Sequence, residues 1–429
     1  VSRMIETGTV KQALSAHAAI GLLAGALLYI VSLTGTVAVF YEELQRIEQV
    51  HAPEMSSIDR VAVQRGVEAV LASEAGKPRT THLYVHLPTE GLPRTTITTD
   101  TQAVHLDRTG AIAGPEQIAW SDFLVQLHYT LNLPALVGIT VVGILGVLML
   151  ALSFSGVVAL PRIFRDAFRL RARNSNGVGL ADWHNRLSVW TLPFSLAIAL
   201  TGAMIGMATI TAYAIASNSY GGDVEAVYAT VFGGEGKPDA APAPVPNVAA
   251  ALEYMARAYP EVAVTYATLH NPMTKGQHVQ IVGDHERRLI FGEYYDFDAF
   301  GRFHKTAGLA DGQVGQQAAA SAYKLHFGSF GGLPVKLAYF LLGAALTAIC
   351  ATGTYIWLGK RRRRGMQEHA LHALWNGVVA GTPAALTITF LARILFGNAM
   401  AFSAIFWLAL AAIMASALLF SAWRPSPDS

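Results

Sequence analysis

Four histidines recur at duplicated positions in a chain of 429 residues. His17 is followed 17 residues later by Thr34-Gly35, and His184 stands at the same distance from Thr201-Gly202. Leu127-His128 precedes Leu133-Pro134, and Leu325-His326 precedes Leu333-Pro334. From these two histidines to Ser155-Gly156 and Thr352-Gly353 the distances are 27 and 26 residues. A histidine at a membrane interface, taken alone, is explained by a polar ring reaching water. Four at repeated positions call for more, because Leu or Trp would serve packing without a polar ring. Two imidazoles facing each other across a four-helix bundle supply the axial ligands of a six-coordinate haem iron. The sequence therefore offers two bis-histidine haem sites, His17 with His184 and His128 with His326. One cysteine, Cys350, leaves no Cys-x-x-Cys-His attachment sequence, so the haems would be b-type. A lone thiol also excludes an intrachain disulfide, a Cys-ligated iron–sulfur cluster and a zinc ribbon.

The elements that must position these histidines are apolar. The chain is 52% hydrophobic and 14% charged, against roughly 25% charged in a soluble domain. A formal charge of +2 is too balanced for a nucleic-acid surface. Six stretches free of Asp, Glu, Lys and Arg are long enough to cross a bilayer: Ala18–Phe40, Ala135–Leu160, Leu187–Ala216, Leu337–Leu358, Leu371–Ala392 and Ile394–Ala422. The first reads as a retained signal anchor. Arg162, Arg165, Arg169, Arg171 and Arg173 follow the second, and Lys360 with Arg361–Arg364 follows the fourth. By the positive-inside rule both termini then face the cytoplasm, and a tight outer hairpin falls near Phe396–Asn398. The implied division is helix 1 over 1–40, an outer segment over 41–134 and helix 2 over 135–160. A basic loop over 161–183, helix 3 over 184–216 and an outer segment over 217–336 follow. Helix 4 over 337–358, a basic loop over 359–370, helices 5 and 6 over 371–423 and a tail over 424–429 complete it. Helices 1–2 and 3–4 run as a parallel repeat about an axis along the membrane normal.

Each outer segment reads as a small α+β domain. The first has a helix over Val61–Ala75, then strands at Thr81–Leu87, Thr95–Thr99 and Ala103–Asp107, closed by Arg108-Thr109-Gly110. The second repeats the order, with helix Val248–Ala258, strands at Val262–His270, Gln277–Val282 and Arg288–Phe297, and Asp298-Ala299-Phe300-Gly301. Gly233–Pro246, rich in Gly, Pro and Ala, reads as a linker.

Other residues could take part. His369 and His372 open helix 5 and are alternatives to His17 or His184 as ligands, or neighbours of haem propionates. Arg186 and Lys11 are placed to meet propionates, although the positive-inside rule explains such cations too. His82, Tyr84 and His86 share one face of a strand and could touch iron or a ligand, or simply form a polar sheet face. Tyr294, Tyr295 and Trp120 suit either outer-domain packing or a ligand shelf. Phe194 and Phe154 suit either filler between helices or a position between the haems. No glycine-rich phosphate loop has the strand–turn–helix context it needs, so the sequence offers no flavin or nicotinamide domain. No catalytic side chain beyond the candidate ligands stands out.

The pattern resembles the PepSY-associated transmembrane helix family of bacteria, and within it the inner-membrane ferric-siderophore reductases of iron uptake. The likeness rests on the His17 helix with Leu33-Thr34-Gly35, the outer segments ending in Asp107-Arg108-Thr109-Gly110 and Asp298-Ala299-Phe300-Gly301, and the Leu-His segments at 128 and 326. It implies a mainly α-helical protein of the bacterial inner membrane, with two small periplasmic PepSY-like domains and b-type haems. It also implies electron delivery to iron chelates outside. The expected activity is that of a haem-dependent ferric-siderophore reductase. A quinol or a cytoplasmic reductase would supply electrons, which would pass from the His17/His184 pair to the His128/His326 pair. A transporter is the competing class, since parallel repeats occur there, yet the spans hold no mid-membrane charge for ion coupling. A regulatory or protease-inhibiting membrane protein built on PepSY modules is a third.

Overall fold

The computed structural model describes residues 7–167, 178–232, 239–285, 289, 293–306 and 312–423. Arg169, Arg171 and Arg173, the start of the Gly233–Pro246 stretch, and Arg288 lie outside the described residues. In chain order the elements are α1 (Thr7–Ala38), α2 (Tyr41–Glu48), α3 (Arg60–Ser73), β1 (His82–His86), β2 (Thr95–Thr98), β3 (Ala103–Leu106), β4 (Ile112–Pro115), α4 (Ala119–Thr130) and α5 (Ala135–Ala159). There follow α6 (Ile163–Asp166), α7 (Val178–Trp190), α8 (Leu192–Ser219), α9 (Val224–Phe232), α10 (Val248–Ala258), β5 (Val262–His270) and β6 (His278–His285). The chain continues through β7 (Glu293–Phe297), β8 (Phe303–Thr306), α11 (Val314–Phe327), α12 (Gly332–Arg363), α13 (His369–Phe396) and α14 (Phe402–Trp423). These elements divide into two compact units, one of Val1–Tyr41, Ala119–Ala208 and Gly331–Ser429, the other of Glu42–Ile118 and Thr209–Phe330.

Among the described residues six helices are long and apolar enough to cross a membrane: Gly8–Ala38, Ala135–Ala159, Leu192–Ser219, Gly332–Arg363, His369–Phe396 and Phe402–Trp423. Several boundaries differ from the sequence reading, and three of the differences bear on the packing of the helices. Helix α1 starts at Thr7 rather than near residue 18, so His17 is preceded by helix instead of standing just ahead of it. The third span divides at Thr191 into α7 and α8, next to Pro193, which lacks an N–H and crowds the carbonyl four residues back. The turn between α13 and α14 begins at Gly397, whose φ of +89° suits a residue without a Cβ, so Arg393 lies in the last turn of α13 instead of separating two spans.

In the helical unit α1 is central, packing on α4, α5, α12 and α13. Where α5 meets α8 the backbones touch: a Cβ on Gly206 would fall 2.5 Å from the Gly143 Cα. Small residues allow this approach, which supplies packing where apolar burial against lipid gives little drive. Pro383 inside α13 leaves the Val379 carbonyl without its helical donor. The Tyr29 hydroxyl of α1 donates to that oxygen at 2.9 Å, tying the interrupted helix to the bundle.

The segments expected as two outer domains share one eight-stranded sheet, in the order β4-β3-β2-β1-β5-β6-β7-β8. The halves join through antiparallel β1 and β5, with His82 opposite His270 and Val85 opposite Ala267. Helices α3 and α10 cover one face. Beneath them a single core takes Val67, Val70, Leu83 and Ile97 from the first half and Leu252, Met255, Leu269 and Phe297 from the second. Each half adds a short strand beyond the expected set, β4 and β8. The described part of the presumed linker is hydrogen-bonded to the β5–β6 loop, with Ala243 N–H donating to the Met273 carbonyl and Gln277 Nε2 to the Pro244 carbonyl.

Both halves close with the same turn. Asp107 Oδ1 accepts the N–H groups of Thr109 and Ala111, and Asp298 Oδ1 accepts those of Phe300 and Arg302. The fourth residue is glycine in each, at φ +84° for Gly110 and +75° for Gly301. Each backs onto the covering helix: a Cβ on Gly110 would stand 2.0 Å from the Ala62 carbonyl oxygen, and one on Gly301 2.5 Å from the Ala250 Cβ.

Candidate functional site

His17, on α1, turns toward α5. Its Nδ1 lies 3.0 Å from the Leu152 carbonyl and 3.2 Å from Ser155 Oγ, and the ring rests over Gly156, where a Cβ would meet Cε1 at 3.3 Å. His128, on α4, turns toward α1. There Nδ1 lies 2.9 Å from the Val31 carbonyl, and a Cβ on Gly35 would overlap Cε1 at 2.5 Å. His184, on α7, turns toward α12, with Nδ1 2.9 Å from Thr352 Oγ1 and the ring over Gly353. For His17 and His128 the backbone partner is the residue four before the glycine, 152 before 156 and 31 before 35, and for His184 the partner is the hydroxyl of Thr352, the residue just before Gly353.

This repeated seat fixes the chemistry of the rings. A carbonyl only accepts, so Nδ1 of His17 and of His128 carries the proton. For His184 the inference runs through Thr352, whose hydroxyl donates to the Ala348 carbonyl at 2.8 Å and so presents a lone pair to the imidazole. Ser155 behaves alike toward Leu152. A ring protonated on Nδ1 has its lone pair on Nε2, the tautomer in which a metal-ligating imidazole is held by its other nitrogen. Among the described residues neither His17 nor His184 makes a hydrogen bond through Nε2.

His17 and His184 belong to one unit and lie near enough for charge on one to act on the other. His128 lies in α4 of the helical unit and His326 in α11 of the sheet unit. The buried Lys324, two residues before His326, forms an ion pair with the half-buried Asp284 of β6 that ties α11 to the sheet. In the fold Gly35, Gly156 and Gly353 receive the imidazoles themselves, each on a neighbouring helix. His17 and Gly35 are eighteen residues apart, about five turns, so α1 presents a ring near one end and a seat near the other on the same side.

Arg186 is 4% exposed; its Nε donates to Asp182 Oδ2 at 3.0 Å, while Nη2 has no hydrogen-bond partner. A buried guanidinium nitrogen without an acceptor is a seat for an anionic oxygen. It leaves α7 about 200° around from His184, so meeting a group bound to that ring takes the full reach of the side chain. Lys11 is exposed on α1. His369 and His372 are exposed at the start of α13; His372 meets Asn376 at 3.2 Å and lies 5.8 Å from the Tyr355 ring, and it has no glycine seat of this kind. Trp120 is neither outer-domain packing nor a shelf: it is buried in α4, with Nε1 donating to Thr389 of α13 at 3.0 Å. Tyr295 belongs to the sheet core, whereas Tyr294 projects from the opposite face, where burial pushes its hydroxyl pKa up. Phe154 is exposed filler, and Phe194 packs edge-on against Tyr339 at 5.2 Å.

Histidine-bearing helices in a set of six apolar ones, with a helix-covered sheet built from two like halves, define a multi-pass membrane protein with an internal duplication. The chain belongs to the PepSY-associated TM region family, whose profile matches residues 14–360. It is also similar to the uncharacterized protein PA4219 of Pseudomonas aeruginosa, at 26% identity over 293 residues, covering 63% of this chain and 71% of that protein.

Proposed function

We propose that the chain is a di-haem b oxidoreductase of the bacterial inner membrane, with cytoplasmic termini, that moves electrons across the bilayer and reduces a ferric chelate of the siderophore class at its periplasmic sheet. The observation that carries this reading is the seat shared by His17, His128 and His184. A histidine kept only to reach water has no need of an acceptor fixed on Nδ1 and a glycine floor, repeated on three helices. His17 with His184 would hold one haem and His128 with His326 the other, with Arg186 offered to a carboxylate. Each haem so held supplies one-electron chemistry. The chain's own part is to fix each ring through Nδ1, to keep Nε2 available, and to exclude water by close helix packing. Reduction suits iron release, because hard oxygen donors hold Fe(III) far better than Fe(II).

The test is reconstitution in vesicles with reductant enclosed and a ferric siderophore outside, Fe(II) being captured by an impermeant chelator. Capture is expected in the wild type and lost in His128→Ala and His326→Ala. Undiminished capture in those variants rejects the reading.

A further inference from the structure

The sheet face opposite α3 and α10 carries histidine in a pattern that core packing does not explain. His82 of β1 stands opposite His270 of β5, and His270 stands opposite His278 of β6. The three imidazoles thus occupy one register level on three adjacent strands. Ring centroids are 5.1 Å apart for His82 and His270 and 4.2 Å apart for His270 and His278. His270 is 8% exposed, and His82 is half-buried and open to solvent at one end of the row. Two register steps away, on the same face, Asp296 accepts from Gln280 Nε2 at 2.9 Å, placing a carboxylate near the row.

A second feature sets the tautomer of the outermost ring. Thr81 Oγ1 donates to Asp100 Oδ2 at 2.9 Å, and its only proton is used there. Toward His82 Nδ1, 3.1 Å away, the same oxygen therefore accepts. His82 carries its proton on Nδ1 and its lone pair on Nε2, under an Asp–Thr–His relay of the kind that orients metal-binding imidazoles.

We propose that His82, His270 and His278 form a binding site for a borderline divalent transition-metal ion. Imidazole nitrogen favours Fe(II), Co(II), Ni(II) or Zn(II), whereas Fe(III) chelates are held by oxygen. Directly opposed residues on adjacent strands have Cβ atoms about 5 Å apart, within reach of one shared ion. Among the described residues no three such side chains already converge on a metal position. His270 and His278 stand stacked and His82 meets His270 edge-on, so loading turns the stacked pair toward convergence with His82. That Fe(II) is the ion taken up in the cell rests on the ferric-chelate reading above; the site itself does not.

Titration of tag-free, full-length protein with Ni(II), followed by calorimetry, tests the site, and Co(II) absorption reports nitrogen ligation. One ion per chain is expected. His82→Ala and His270→Gln should each weaken binding at least tenfold, and Thr81→Val, which keeps the ring and removes its orienting partner, about tenfold. Unchanged binding in His82→Ala and Thr81→Val overturns the proposal, and both changes lie at the half-buried end of the row, where the fold tolerates them. Haem absorbance of the same samples separates the two readings: a haem-free chain that still binds Ni(II) at this row defeats the function proposed above and leaves the metal site standing.

Discussion

The helical unit and the sheet unit both bear a duplication, but they repeat different things. Among the helices the repeated element is a chemical group in its seat, an imidazole held through Nδ1 by an acceptor over a glycine, while the surroundings differ: α1 is unbroken where α7 and α8 divide. In the sheet the repeated element is a shape, the Asp-x-x-Gly turn backing onto a helix, while the chemistry differs. On the β1–β5 seam the first half offers His82, Tyr84 and His86 and the second Tyr266, Thr268 and His270. A duplication that retains reactive groups points to a function both copies perform, and one that retains turns points to a scaffold whose two faces have been free to diverge.

The sharpest way to break this comparison is to fill the seats. Gly35→Ala would drive a methyl to 2.5 Å from the His128 ring, Gly156→Ala to 3.3 Å from His17, and Gly353→Ala only to 3.6 Å from His184. Gly35→Ala should displace His128 and lose about half of the bound haem, Gly156→Ala should shift a haem band without loss, and Gly353→Ala should be near silent. Equal effects at all three would mean that the glycines serve helix packing alone. The counterpart in the sheet is Gly110→Ala, which meets a backbone oxygen at 2.0 Å and a positive φ. It should cost roughly 3 kcal/mol or more, with a smaller loss at Gly301→Ala, measured by thermal unfolding of the sheet unit.

Acid sharpens the contrast further. Burial, with help from the Arg94 charge, holds the His105 imidazole down to about 4. Its ring is 2% exposed and bonded to Thr96 and Gln49. The unfolded chain binds this proton near the ordinary 6.5 and the folded chain does not. The stabilisation is therefore full above about pH 6.5 and lost as pH falls toward 4, on the order of 2–3 kcal/mol in all. His105→Gln should flatten the pH dependence of sheet unfolding over that window, and an unaltered profile would assign the loss elsewhere. The smallest effect expected is Tyr29→Phe, which strands the Val379 carbonyl freed by Pro383 and should lower stability by about 1 kcal/mol without touching the haem spectrum.

Much of this was legible in sequence because its signals are local. Apolar length announced six spans, and alternation placed β1, β2, β3 and β5 within a residue or so. What escaped depends on partners distant in the chain. Nothing local in His82–His86 says that it will pair with Val262–His270, so one sheet reads as two domains. The strands β4 and β8 are four residues each, and β4 ends in Gly114-Pro115, which carries no alternation. Trp120 looked like an outer-domain residue because its partner, Thr389, lies 269 positions away. The histidines were visible by type and spacing, yet their seats were not, since each ring and its glycine belong to different helices.

The central claim is that the seated histidines are haem ligands, and a reduced-minus-oxidised spectrum of the purified protein with a haem-to-protein ratio tests it most directly. About two non-covalent, low-spin b-type haems per chain are predicted, falling to about one in His17→Ala and in His184→Ala. A haem-replete preparation that binds none, or spectra unchanged in both variants but altered in His372→Ala, would contradict it.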